Sequence, residues 1–355
     1  VLLVAACTMP FLTVSLQGRI QEANLVTGAA ELFAQGFWTL AAVVLATTIL
    51  APAVKLGATL YVLLALRLPH PPRHVGRVFR WLDHLRSWSM IEVYLLGVFV
   101  AYVKLVEFYT IGIGPAFYAI ASVMILMVAL DVTLSPDIVW REMERRGIVG
   151  QPGPAAADAP LVLCESCNLL APMRRRHEPC PRCGAARHTR KPESLVWTWA
   201  LVISALILYI PANVFPVMTV ISLGKGEPDT ILSGVKTLFL AGMWPLALVV
   251  FFASITVPVL KITGLVLLLV TTHWRSRWRL RDRTVLYRIV ENVGRWSMID
   301  VFMISILVGL VRLGSLATIE PGVGAVSFAA VVIITMFAAE AFDPRLMWDA
   351  AGENR

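Results

Sequence analysis

Seven apolar stretches alternate with polar segments along the chain, at about 37–66, 88–106, 116–134, 195–215, 243–271, 296–313 and 323–342. Each runs for about 17 to 30 residues, enough at 1.5 Å per residue to cross roughly 30 Å of hydrocarbon. Lipid offers backbone amides no water, so these stretches are expected to be helices. The pattern also repeats. Pro52-Ala-Val-Lys55 is answered by Pro258-Val-Leu-Lys261, and Pro10, Gly28, Gly36 and Trp38 by Pro216, Gly234, Gly242 and Trp244, all at one offset. Trp88-Ser-Met-Ile-Glu92 is likewise answered by Trp296-Ser-Met-Ile-Asp300. In the second half a helix from near Leu195 leads up to Pro216, whereas only Val1 to Met9 precede Pro10. An eighth, shortened segment is therefore expected at the start, and the sequence reads as lacking its natural N-terminus. The predicted fold is an all-α polytopic membrane protein of two tandem four-helix repeats, the first helix truncated. Four helices per half return the chain to one side, so the repeat is direct rather than inverted.

Just after Pro10 and Pro216 the period changes from helical to alternating. Leu12-Thr-Val-Ser-Leu16 and Met218-Thr-Val-Ile-Ser-Leu223 read as short strands turning at Gln17-Gly18 and at Gly224-Lys-Gly226, which makes two β-hairpins.

Composition agrees with a membrane protein: 58% of the 355 residues are apolar and the mean hydropathy is +0.74. The net charge of +8 matters through its placement. Segment 67–86 carries Arg67, Arg73, Arg77, Arg80 and Arg86, and segment 272–295 carries seven arginines from Arg275 to Arg295, while 106–115 has no Lys or Arg. The basic segments read as cytoplasmic loops and the hairpins as periplasmic. Few aromatics interleave with these charges, which argues for membrane contact and against nucleic acid as a partner.

Between the halves, a polar stretch contains Gly150-Gln-Pro-Gly-Pro-Ala-Ala-Ala157, which reads as flexible, and then Cys164-Glu-Ser-Cys167 and Cys180-Pro-Arg-Cys183-Gly184. Two C-x-x-C knuckles at this range supply four thiolates for one tetrahedral ion, and Gly184 suits the tight turn after the second. Structural zinc ranks first; a rubredoxin-type iron site and a redox dithiol pair are the alternatives. Reducing cytoplasmic surroundings favour metal over disulfide. His177 and His188 flank the knuckles but exceed the four ligands needed, and Cys7 reads as a packed small residue.

Charged residues inside the apolar stretches carry the functional signal. Ser254, Pro258 and Lys261 share one helix face, and Pro258 frees a backbone carbonyl near Ser254. Asp300 follows on the next helix and Thr335 on the last. The first half offers Thr48, Pro52, Lys55 and Glu92, with Met127 opposite Thr335 and Asp131 near the helix end. Pairing of Lys261 with Asp300, and of Lys55 with Glu92, is expected. The second half keeps the fuller polar set. The bland alternative is that each lysine–acid pair merely holds helices together or snorkels to the interface.

P-x-x-K in the second helix of each half, W-S-M-I-[DE]-V in the third, Asn213-Val-Phe-Pro216 and the four-cysteine ribbon together resemble the paraquat-inducible protein A family over essentially the whole chain. The first half departs from that pattern with Cys7-Thr-Met-Pro10 in place of N-x-x-P. The resemblance implies a component of the bacterial inner membrane, with ribbon and C-terminus cytoplasmic, that loads or receives phospholipid for a periplasmic partner built of MCE domains. A polar intramembrane pocket would map onto Ser254, Lys261, Asp300 and Thr335, with Lys55 and Glu92 as first-half counterparts. The corresponding organisation is a first repeat over 1–135, a linker and zinc ribbon over 136–192, a second repeat over 193–348 and a tail over 349–355. No enzyme is expected: the six histidines lie in loops and no phosphate-binding P-loop occurs. The competing reading is a membrane-bound redox or metal stress sensor that uses the ribbon.

Overall fold

The computed structural model describes residues 1–355 except 17–18, 73, 87, 107–108, 152–160, 174–177, 223–224, 312–316 and 353–355. The turns expected at Gln17-Gly18 and Gly224, most of the 150–157 stretch and His177 thus lie outside the described residues.

Among the described residues, six helices are long and apolar enough to cross a membrane: Trp38–Arg67, Pro115–Thr133, Ser194–Val214, Trp244–His273, Leu280–Leu310 and Val323–Ala341. The chain is a mostly helical, multi-pass membrane protein. The 88–106 stretch departs from expectation and forms the 15-residue helix Ile91–Leu105. Its counterpart Ile299–Leu310 has only 12 residues, but it continues from Leu280–Val293 through the 3₁₀ turn Gly294–Met298, so that the whole run Leu280–Leu310 reaches 31 residues. The basic segments are also not simple loops. Val75–Arg86 and Leu280–Val293 are amphipathic helices. Arginines interrupt the apolar run there, but the helical spacing of Val75, Phe79 and Leu82 survives and buries one face.

Each long helix that carries a Pro-x-x-Lys sequence contains one wide turn. Ala46–Leu50 and Phe252–Thr256 are π-helical, and Pro52 and Pro258 stand just beyond them. Proline has no N–H to give, so the ladder loosens one turn earlier, where Thr48 and Ser254 sit. Their hydroxyls donate to the carbonyls of Val44 and Val250, at 2.7 and 2.6 Å.

The hairpins are parts of larger sheets. Leu12–Leu16 lies between Arg19–Ala23 and Thr110–Ile113, and Met218–Ser222 between Lys225–Asp229 and Ala317–Pro321, antiparallel throughout. The third strand of each sheet comes from far along the chain, about a hundred residues after the strand it pairs with.

The molecule divides into two compact units. One comprises 1–48, 91–121 and 193–355. At its centre every residue of Ile299–Leu310 is buried, against Ile91–Leu105 and Thr27–Ala34. Small residues allow this close crossing: a Cβ on Gly28 would strike the Ser305 carbonyl, and one on Gly309 would lie 2.9 Å from the Gly28 Cα. The other unit comprises 49–90 and 122–192. Its core joins Val62, Phe79, Trp140 and Met143 to all four knuckle cysteines.

Candidate functional site

The four cysteines converge as their spacing predicts. Cys164, Cys167, Cys180 and Cys183 are buried, and their sulfurs all lie within 4.8 Å of one another. The Cys164–Cys183 and Cys167–Cys180 separations are 3.6 and 3.5 Å, far beyond a disulfide bond. They are close to the edge of about 3.8 Å that a tetrahedron with metal–sulfur bonds of about 2.3 Å requires. The two knuckles are built alike. Strands Leu161–Leu163 and Leu170–Pro172 carry the first, and Asn168 and Gly184, one residue after each second cysteine, both adopt positive φ. In each, the amide of the first cysteine donates to a carbonyl five residues on (Leu169 and Ala185), which closes the turn around the sulfurs. Sequence reasoning anticipated Gly184; Asn is the other residue that tolerates the left-handed region, so Asn168 fills the same role. Thiol–thiol hydrogen bonding pulls Cys164 down to about 6 and Cys180 below the ordinary thiol range, while it pushes Cys167 and Cys183 up. Four sulfurs so placed share protons unequally, and a bound cation is what would let all four ionise. Arg182 donates to the Cys167 carbonyl and pairs with Glu144 at 2.6 Å, and Arg80 donates to the Cys183 carbonyl at 3.2 Å. Two guanidinium groups thus offset the negative charge of a thiolate cluster. The site can hold a metal ion.

The second-half residues are all inside the first unit. Lys261, Asp300, Ser254 and Thr335 are at most 4% exposed. The expected Lys261–Asp300 pair is not made: neither the Lys261 ammonium nor either Asp300 oxygen has a hydrogen-bond partner among the described residues. Lys261 instead aims its Nζ at Gly294, where an added Cβ would stand 3.3 Å away and near Met336. Ser254 lines the same small cavity as Asp300 but has one O–H to donate, and that goes to Val250. Thr335 likewise donates to the Val332 carbonyl. The cavity beside Asp300 holds about 30 Å³ and is also lined by Lys104 and Asp229. Sequence reasoning missed these two. Lys104 was visible as a second lysine in an apolar segment, but Asp229 becomes a neighbour only through the sheet that places it.

The first-half set is arranged differently. Lys55 pairs with Asp131 at 2.9 Å, not with Glu92, which is exposed in the first turn of Ile91–Leu105. A carboxylate there faces the positive end of the helix dipole and needs no lysine. Met127 accepts a long contact from the Ser89 hydroxyl at 3.8 Å. The two lysines at matching sequence positions therefore differ: one is ion-paired, the other buried with no hydrogen-bond partner among the described residues.

The family model described as Paraquat-inducible protein A matches residues 1–144 and 195–352. The chain is 37% identical over 349 residues to the "Intermembrane transport protein PqiA" of Escherichia coli strain K12, covering 97% of this chain and 82% of that protein. It is 30% identical over 341 residues to the "Lipophilic envelope-spanning tunnel protein A" of the same strain, covering 96% and 78%. It is 28% identical over 347 residues to a "Probable intermembrane transport protein" of Haemophilus influenzae, covering 96% and 81%. No solved structure matches the chain.

Proposed function

Because the chain belongs to the paraquat-inducible protein A family, we propose that it is an inner-membrane component of an intermembrane lipid transport system. It would load or receive phospholipid for a periplasmic MCE-domain protein. The names of its relatives support transport between membranes. The observation that carries the reading is charge buried within a membrane bundle: Lys261, whose ammonium has no hydrogen-bond partner among the described residues, and Asp300, which shares a small cavity with Lys104. An uncompensated charge in lipid surroundings costs several kcal/mol, so it is kept where something must bind or move. A phosphate headgroup is a fitting partner for Lys261. Asp300 supplies a second buried charge beside the proline-loosened turn, whose Ser254 lines its cavity. The four-cysteine module acts as a structural zinc ribbon on the cytoplasmic side, its sulfurs buried in a shared core rather than presented for redox exchange. That burial favours transport over the stress-sensor reading.

A photoreactive residue in place of Met336, whose side chain lies beside Gly294 and Lys261, tests the proposal in living cells. Phospholipid crosslinked at that position, and lost when Lys261 is also replaced by Met, is the expected result. Absence of lipid from the crosslinked product in protein with an intact Lys261 would overturn it.

A further inference from the structure

The cavity beside Lys55 belongs to the other unit, and the lipid-loading reading does not use it. It holds about 90 Å³. On one wall the Lys55 ammonium donates to Asp131 Oδ2 at 2.9 Å, and the two side chains are 11% and 29% exposed. An ammonium has three N–H donors and a carboxylate about four acceptor sites, so this single bond leaves capacity on both. Thr59, one turn after Lys55, uses its proton on the Lys55 carbonyl at 2.7 Å and keeps its lone pairs. Ser166 and Asn168 of the first knuckle also line the cavity, and Phe79 and Trp140 give it an apolar side.

Two opposite charges side by side in a partly apolar cavity suit a ligand that carries both. A lone anion would meet Asp131, and a lone cation would meet Lys55. We propose that this cavity binds a zwitterion of the aminoalkyl phosphate class, its phosphate on Lys55 and its ammonium on Asp131, with Ser166 and Asn168 as neutral partners. A second groove, of about 250 Å³, shares Ser166 with it and is lined by Arg80 and Trp81. Arg80 gives one N–H to the Cys183 carbonyl, and its remaining donors can draw a phosphate inward; Trp81 is 64% exposed, as aromatics at a membrane interface are. The same chemistry comes from a phospholipid headgroup or from a free phosphorylated amine.

The test uses the full-length protein. Phosphorus NMR follows titration with O-phosphoethanolamine and, separately, with inorganic phosphate. Acetylation of Lys55 is read by peptide mass spectrometry with the soluble compound, and in nanodiscs of phosphatidylethanolamine or of phosphatidylglycerol. The zwitterion is expected to protect Lys55 and to bind about tenfold more tightly than phosphate, the worth of one charge-assisted hydrogen bond. Asp131→Asn should erase that preference, Lys55→Met should remove binding, and Lys55→Arg should retain it, each at unchanged metal content. Protection by the soluble compound alone identifies a free ligand; protection only in phosphatidylethanolamine identifies a headgroup. If neither source protects Lys55 in the unsubstituted protein, or if Asp131→Asn keeps the preference, the proposal fails. The outcome is independent of lipid capture beside Lys261.

Discussion

Replacing Lys261 with methionine is expected to make the protein more stable, by about 2–4 kcal/mol, because it removes an ion whose burial costs several kcal/mol and that no hydrogen bond from the described residues offsets. Lys261 is 1% exposed and its ammonium has no hydrogen-bond partner among the described residues. Methionine has nearly the same length and flexibility, so it fills the space without opening a cavity. The matching change in the first half should act in the opposite direction. Lys55→Met would leave Asp131 without its partner and lower stability, by about 1 kcal/mol given the partial exposure of that carboxylate. Thermal unfolding in one detergent compares the two directly. A Lys261→Met protein less stable than the parent would mean that the ammonium is well compensated, and would remove the physical basis for assigning it a task.

Cys167→Ala is expected to have the largest structural effect. Closed thiolate sites of this kind bind zinc with an apparent free energy of about 10–16 kcal/mol, much of it expressed as folding. Here the sulfurs share a core with Phe79, Trp140 and Met143, so losing a bound ion would also loosen the amphipathic helices Val75–Arg86 and Pro136–Arg145. The parent protein should carry one zinc per chain and the variant none. Hydrogen exchange in both helices should quicken, while helix Val257–His273 in the other unit keeps its protection. Unchanged exchange in a metal-free variant would reduce the ribbon to an appendage.

Residue spacing made much of this legible beforehand. Apolar runs of spanning length, knuckle spacing and the prolines ahead of Lys55 and Lys261 each act through neighbours in sequence, and the π turns at Thr48 and Ser254 fall where those prolines demand. What stayed hidden depends on partners brought from afar. Thr110–Ile113 and Ala317–Pro321 complete sheets begun about a hundred residues earlier. Asp131 captures Lys55 across 76 positions, and Asp229 reaches the Asp300 cavity through its strand. Pairing Lys55 with Glu92 failed because Asp131, brought from 76 positions away, takes the ammonium instead, and a sequence offset does not reveal so distant a partner. The amphipathic helices were obscured by arginines, whose charge signalled a loop while the apolar residues between them kept a helical period.

The central claim, that the buried charges Lys261 and Asp300 handle lipid, is tested most directly by lipid transport in a strain lacking its own family members. The full-length Lys261→Met protein would be compared with the parent at matched membrane abundance. Transport reduced to the level of the empty strain, in a protein at least as stable as its parent, is the predicted result; transport at the parent's rate would contradict the account.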